Sequence, residues 1–310
     1  MATVEFGNPI AATRARCDAG HAIFRRARPL LGTLVEVRCE GVDSARAARA
    51  CDAAFGEVAA IHRLMSFHEA GSDLDALHRA CPGTPVRVDA RTRDVLALAI
   101  RIASVSDGSF DPTVAAQQVA WGFLPRPAST WSPDPRADWR DIHLVGSDRV
   151  CLSRPLWIDL GGIAKGFAVD RAVEILLQAG AVQVCVNAGG DLRIAGERAE
   201  LVFLHAHAGS DAGAVIELAN AAVAGSSGSG SRRRIGSHLF GPHVHGKSRA
   251  PVSTQARVSV VAPTCIVADA LTKVVLSGDD ANSSRVLERF GAQGCIHDAG
   301  SKLLLLGVVA

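Results

Sequence analysis

The stretch from which the fold is best inferred reads IDLGGIAKGFAVDRA and covers residues 158–172. Apolar residues 156–160 predict a strand, the glycine pair that follows predicts a turn, and residues 163–179 predict an amphipathic helix. Glycine lets the backbone approach an anion closely, a helix N-terminus offers unpaired N–H groups, and Lys165 adds a positive charge. The segment therefore predicts either an anion site or a plain strand–turn–helix joint. It matches neither the dinucleotide-binding glycine fingerprint nor the P-loop.

The rest of the chain predicts helices and strands that do not alternate strictly. Strands are predicted over residues 34–39, 142–145, 182–186, 201–204, 215–218, 256–261 and 303–305. Further helices are predicted over residues 44–64, 94–105, 267–277 and 282–290. The proline-rich residues 124–138 predict an irregular loop. The Gly/Ser-rich residues 224–231 predict either a flexible loop or a mobile, anion-binding flap. This mixture favours the α+β class over a doubly wound sheet.

Composition restricts the classes of partner. The 310 residues carry a formal net charge of +2, which argues against nucleic acid or an anionic membrane as a partner. There is no run of about 18 apolar residues, so no integral membrane segment is expected. No signal-type apolar region is visible, and we therefore expect a cytoplasmic location. Residues 1–27 show no clear period and predict a loose arm, followed by one domain over residues 28–310.

Two further turns place polar side chains near predicted strand or helix ends. The sequence NAGGD (187–191) follows a predicted strand, and two such strand ends can line one crevice; a tight turn is the simpler interpretation. In GSFDPT (108–113), the residue before proline favours extended backbone, which can aim the Asp111 carboxylate at a ribose or a flavin edge. The same sequence can also be a helix start that Thr113 caps.

A third candidate site lies on the predicted helix over residues 267–277. Asp269 shares a face with Thr272 and Lys273, at spacings of three and four. A carboxylate and a hydroxyl suit magnesium, which takes few protein oxygens, whereas the simpler interpretation is an exposed Asp–Lys pair. His238 lies near the Gly/Ser-rich segment, and a lone histidine is more often structural than catalytic.

In their order and spacing these segments resemble the FAD:protein FMN transferase family, also called the ApbE family. The resemblance begins near residue 28, reaches the C-terminus, and is carried by residues 31–33 (LGT), 64–67 (LMSF), 110–113 (FDPT), 121–123 (WGF), 159–166 (DLGGIAKG), 187–193 (NAGGDLR), 237–238 (SH) and 258–271. It implies a two-lobed α+β fold related to the T-fold, with FAD in a cleft between the lobes. It also implies that FAD is cleaved to AMP and that its FMN moiety is attached to a Thr or Ser hydroxyl of a target flavoprotein.

The resemblance implies roles for individual residues. Those expected to contact FAD are Leu31, Phe67, His68, Glu69, Ser109, Phe110, Asp111, Asp159 and Lys165. A magnesium ion would be held by the carbonyl of Gly162 and the carboxylate of Asp269, with help from Thr272. The catalytic base would be Asp191 or His238. The metal ion and the lysine would neutralise the negative charge of the diphosphate.

The sequence departs from the family pattern at the metal and active-site positions. Lys273 stands where the family usually has Thr, Gly241 where it has Asp, and Val244 where it has Thr; the chain also has no tyrosine. An ammonium group has no lone pair for a metal. Lys273 therefore either supplies the positive charge itself or points away while Thr272 coordinates. Two other functions follow: an FAD pyrophosphatase, or an FAD-binding protein with weakened or lost transferase activity.

Overall fold

The computed structural model describes residues 23–205, 213–228, 231–236, 238–252, 254, 256–297 and 303–307. Within them lie seven α-helices: α1 (Ser44–Met65), α2 (Asp73–Arg79), α3 (Ala90–Val105), α4 (Ala115–Ala120), α5 (Ala164–Gln178), α6 (Cys265–Leu276) and α7 (Asp280–Arg289). The strands in the same residues are β1 (Phe24–Leu30), β2 (Thr33–Glu40), β3 (Val86–Arg87), β4 (Ile142–Val145), β5 (Arg149–Leu152), β6 (Gln183–Ala188), β7 (Asp191–Gly196), β8 (Glu200–His205), β9 (Gly213–Leu218), β10 (Ala221–Ser227), β11 (Arg233–Ile235), β12 (His238–Phe240), β13 (Arg257–Ala262), β14 (Gln293–His297) and β15 (Leu303–Leu306).

One antiparallel sheet organises the molecule. Its eight strands run in the order β1-β2-β6-β7-β10-β13-β14-β15. Side chains alternate across it as the sequence predicts for a strand with one buried face: in β2, Val35 and Val37 are buried while Leu34 and Glu36 are exposed. Helices α1, α5 and α6 pack on the buried face and complete the main hydrophobic core. The α+β class is therefore confirmed.

Smaller units flank this sheet. The hairpin of β8 and β9 contributes Leu204, Ile216 and Leu218 to a second hydrophobic cluster, which also contains Ile194 and Val223 of the main sheet. Strands β3, β5 and β4 form a three-stranded sheet beside α2 and α3. Strands β11 and β12 form a short hairpin. None of the helices in the described part of the chain is long and apolar enough to cross a membrane.

Three expectations differ from the structure. The strand predicted over residues 156–160 is wrong: the segment is extended but has no ladder partner among the described residues, and its Ile158 amide donates to Nε2 of His78 at 2.9 Å. The first half of the Gly/Ser-rich segment is strand β10, between β7 and β13, so it is neither a loop nor a flap there. Strand β1 pairs residues 24–27 of the predicted arm with β2, whereas residues 1–22 lie outside the described residues.

Candidate active site

The first site residues lie where the extended segment 156–160 turns into α5. The amide of Asp159 donates to the carbonyl of Pro112 (2.8 Å), and the amide of Gly161 donates to Asp159 Oδ1 (2.9 Å). Helix α5 begins at Ala164, whose amide donates to the Leu160 carbonyl at 2.8 Å. Its N-cap makes no side-chain hydrogen bond, so the next amides of the first turn are open to other acceptors. Lys165 lies in this first turn. The strand–turn–helix prediction thus held for the turn and the helix.

The β6–β7 hairpin brings an acid to Lys165. Gly189 and Gly190 have φ values of +63° and +101°, which glycine adopts readily, and the amide of Gly190 donates to Asn187 Oδ1 at 2.9 Å. This turn places Asp191 at the start of β7, where it is 1% exposed. Its Oδ2 lies 2.6 Å from Lys165 Nζ. Burial, together with repulsion from Asp269, raises the pKa of Asp191 to about 6.

Helix α6 supplies the second acid. It crosses α5 at Gly166, where a Cβ atom would lie 2.3 Å from the carbonyl oxygen of Cys265, so only glycine permits this approach. At the crossing, the amide of Gly166 donates to Asp269 Oδ2 at 3.1 Å. The carboxylate of Asp269, which is 1% exposed, therefore satisfies one of the open amides of α5.

Lys273 contacts the same carboxylate. Its ammonium group lies 2.5 Å from Asp269 Oδ1 and 3.0 Å from the Asp269 carbonyl oxygen. Its Cε atom lies 3.2 Å from the position that a Cβ of Gly162 would take, so the lysine stem packs over this glycine. Thr272 faces another way: its hydroxyl donates to the Asp269 carbonyl (2.6 Å) and lies 2.8 Å from Ser226 Oγ of β10.

The predicted magnesium ligands, as they lie, do not fit a magnesium ion. One oxygen of Asp269 accepts an amide hydrogen and the other contacts an ammonium group. The Thr272 hydroxyl is engaged with Ser226 and a backbone carbonyl, and the Lys273 stem covers Gly162. The described part of the chain also holds no group of three or more His, Cys, Asp or Glu side chains suited to a metal.

Two cavities adjoin at this cluster. One, of about 270 Å³, is lined by Leu31, Phe67, His68, Asp159, Gly161 and Lys165 among others. The other, of about 210 Å³, is lined by Ser109, Phe110, Asp111, Asp159, Gly161, Gly162, His243 and Lys273 among others. Asp159 and Gly161 line both cavities and mark the neck between them. Each cavity therefore has one of the two lysines in its wall.

Comparison with known proteins identifies the family. Residues 31–296 match the ApbE family. The chain belongs to this family. It is 31% identical over 242 residues to the FAD:protein FMN transferase of Haemophilus influenzae, an alignment that covers 71% of this chain and 70% of that protein. It is 32% identical over 186 residues to the FAD:protein FMN transferase of Treponema pallidum, covering 54% of this chain and 51% of that protein.

Solved structures show the ApbE fold as well. The crystal structure of the ApbE protein of Thermotoga maritima matches with a TM-score of 0.79 at 24% identity, covering 91% of this chain and 96% of that chain. The apo form of the flavinyl transferase ApbE of Pseudomonas stutzeri matches with a TM-score of 0.76 at 19% identity, covering 92% and 94%.

In this ApbE family member, Asp111 is held by protein groups. Its Oδ1 accepts from the amide and hydroxyl of Thr113, both at 2.8 Å, and its Oδ2 accepts from Arg249 Nη2 at 2.8 Å. Burial raises the pKa of Asp111, and the guanidinium of Arg249 opposes that shift. Neighbouring Ser109 accepts from Asn282 Nδ2 at 3.0 Å. Both residues line the second cavity, but their polar atoms already have partners.

Four predicted site residues in the described part of the chain, Glu69, Asp191, Asp269 and Thr272, line neither cavity. Glu69 is exposed beyond the first cavity. His238 belongs to β12, paired with Ile235 of β11. The residue that sequence reasoning missed is His243, which lines the second cavity and whose pKa is lowered to about 4 by burial and by the charge of Lys273. The signal was its position in the GPH run (241–243), which begins three residues after the Ser-His pair of the family pattern.

Proposed function

We propose that this chain transfers the FMN moiety of FAD to a Thr or Ser hydroxyl of a partner flavoprotein and releases AMP. The observation that supports this most strongly is the pair of cavities that meet at Asp159 and Gly161, with Lys165 in one wall and Lys273 in the other. FAD has the matching form, because two ring systems are joined through a diphosphate. The family relatives named FAD:protein FMN transferase support the same reading.

Donors for a diphosphate lie in the walls of both cavities, and each ammonium group among them is held by a buried carboxylate. Lys165 and Lys273 supply two ammonium groups, and the glycine turn at Gly161 lets the backbone come close to a bound anion. Leu31 and Phe67 give the first cavity an apolar wall for a ring system. Phe110 and Val252 do the same for the second.

The reaction is a substitution at phosphorus. The hydroxyl oxygen of the acceptor bonds to the phosphorus on the FMN side, the bond to the bridging oxygen breaks, and AMP leaves with that electron pair. The hydroxyl proton passes to a base, for which Asp191 and His238 are the predicted candidates. The protein's contribution is to position the two substrates and to stabilise the charge that develops on the phosphoryl oxygens. The magnesium ion implied by the resemblance stays a prediction, in competition with the ammonium group of Lys273.

A transfer assay tests the proposal. The protein, FAD and an acceptor protein that the H. influenzae transferase labels in parallel are incubated and run on a denaturing gel. We expect fluorescence that stays with the acceptor band, and Lys165→Met to lower the rate by about 100-fold, the usual effect of removing one charge-stabilising donor. The matched control is Lys247→Met, because Lys247 is an exposed lysine paired with Asp107. An unlabelled acceptor band beside a labelled parallel reaction would contradict the proposal.

The same assay separates the two other functions. Release of AMP at the same rate with and without acceptor would indicate a pyrophosphatase, in which water replaces the hydroxyl. Bound FAD without any AMP would indicate a binding protein, a function that the occupied carboxylate of Asp269 favours.

A further inference from the structure

We infer that the ammonium group of Lys273 replaces a divalent cation at Asp269, so that this ApbE family member handles its diphosphate substrate without a metal bound there. The identity of the substrate rests on the proposed function. The contact between Lys273 and Asp269 does not, and it can be tested separately.

Ammonium and metal would compete for one position. Magnesium binds carboxylate oxygens at about 2.0–2.1 Å, and the ammonium nitrogen already lies 2.5 Å from Asp269 Oδ1. A second bond to the Asp269 carbonyl, at 3.0 Å, fixes the lysine head on the same side of the helix. A metal ion on this oxygen would therefore require Lys273 to leave, and the two positive charges repel each other.

The rest of the site is arranged around the lysine. Asp269 Oδ2 is held by the amide of Gly166, so the carboxylate presents its other oxygen to Lys273. The Lys273 stem packs over Gly162, the residue whose carbonyl was predicted as a ligand. The Thr272 hydroxyl is turned to Ser226. Both carboxylate oxygens of Asp269 and the hydroxyl of Thr272 thus already have protein partners.

The lysine keeps a donor for substrate. An ammonium group has three N–H donors, and the two contacts with Asp269 use two of them. Asp269 has only 2% of its side chain exposed, whereas Lys273 has 22% and lines the second cavity. The carboxylate thus positions the ammonium group at the cavity wall, as Asp191 does for Lys165 in the other cavity.

Metal binding by the full chain tests the inference directly. Mn²⁺ is titrated into the protein without FAD, and the loss of the free Mn²⁺ electron paramagnetic resonance signal measures binding. We expect no saturable site in the wild type and one site in Lys273→Thr, bound at least about tenfold more tightly, because the ammonium group is gone and a hydroxyl can coordinate. Lys247→Thr removes the lysine of an exposed Asp–Lys pair and should gain no site. Wild-type binding that Asp269→Asn abolishes would overturn the inference.

Turnover gives the second readout. AMP release from FAD by the wild type should be unchanged by a chelator. Lys273→Met removes the charge and adds no ligand oxygen, so the rate of AMP release should fall at least about tenfold in this variant. Wild-type turnover that a chelator abolishes and Mg²⁺ restores would overturn the lysine inference and leave the transferase proposal intact. A chain without turnover under either condition would contradict the proposed function, while the Mn²⁺ titration would still decide the inference about Lys273.

Discussion

A single buried carboxylate, Asp170, determines where α6 starts. It lies on α5 and accepts hydrogen bonds from the amides of Cys265 (2.9 Å) and Ile266 (2.8 Å), the first two residues of α6. The N-cap of α6, Thr264, makes no side-chain bond of its own, so the cap comes from another helix. Arg193 Nη1 neutralises the carboxylate at 2.8 Å. Asp170 thereby sets the position of the helix that carries Asp269 and Lys273.

We predict that Asp170→Ala lowers the free energy of unfolding by about 3–5 kcal/mol, because it removes the cap and leaves the Arg193 charge without its partner. Urea denaturation measures the loss. The matched control is Asp279→Ala, which removes an exposed N-cap that accepts from the Asn282 amide and should cost about 1 kcal/mol. Equal losses in the two variants would show that Asp170 is no more than an ordinary cap.

Residue types and spacing predicted the charged cluster but could not predict its pairing. The Lys165–Asp191 contact joins a helix start to a hairpin that lies 26 residues later in the chain, and only the sheet order brings the two together. At Asp269, spacing allowed either Thr272 or Lys273 to reach the carboxylate. Strand β10 decides which of the two contacts the carboxylate, because its Ser226 binds the Thr272 hydroxyl. The sequence does not reveal this, since the Gly/Ser-rich part of β10 resembles a loop.

At the scale of elements, the crossing of α5 and α6 brings the site together. The two helices touch backbone to backbone at Gly166, next to Lys165, and the contact puts Asp269 under the first turn of α5. A side chain at position 166 would push the helices apart and lengthen this hydrogen bond.

We expect Gly166→Ala to destabilise the protein by about 1–3 kcal/mol, the usual cost of overpacking, despite the better helix propensity of alanine. Gly56→Ala is the matched control in α1, because a Cβ there meets nothing within 4 Å and should stabilise by about 0.5–1 kcal/mol. Thermal unfolding of the two variants gives opposite shifts in Tm if the close crossing matters. A rise in Tm for Gly166→Ala would refute the tight contact.

Elements with strong periodicity were predicted correctly, and the failures have physical causes. Residues 156–160 look like a strand because they are apolar, but their burial comes from contact with His78 and from the main core rather than from a ladder. The second half of strand β10 lacks large apolar side chains, but Gly225, Ser226 and Ser227 pair with β13, and Ser226 also contacts Thr272 of α6. A local pattern carries no information about such neighbours.

At the scale of the whole molecule, the extended segment 156–160 joins the main core to the α2 region. His78 of α2 is 2% exposed, and its Nε2 accepts the Ile158 amide. One residue later, Asp159 stands at the neck between the two cavities. The hydrogen bond from the Ile158 amide to a neutral imidazole thus holds the backbone next to Asp159 in place.

This arrangement makes the stability of the whole protein depend on pH. Burial lowers the pKa of His78 to about 4, from an ordinary value of about 6.5. Between these values the unfolded chain binds a proton that the folded chain does not. The contribution of neutral His78 to the free energy of unfolding is therefore complete above pH 6.5. It is lost as the pH falls to about 4, a change of about 3 kcal/mol.

The test compares urea denaturation of the wild type and His78→Gln between pH 7 and pH 4. Glutamine offers an uncharged acceptor near the position of Nε2 but does not titrate. Between pH 7 and pH 4 the variant should therefore lose less stability than the wild type, by most of that 3 kcal/mol. His143→Gln is the matched control, because His143 is exposed on β4. This variant should show the same fall in the free energy of unfolding between pH 7 and pH 4 as the wild type. Since carboxylates titrate in both proteins, only the difference between the slopes reports on His78. Parallel slopes would mean that the Ile158 amide tolerates an imidazolium, and that the segment carrying Asp159 is held by packing rather than by this hydrogen bond.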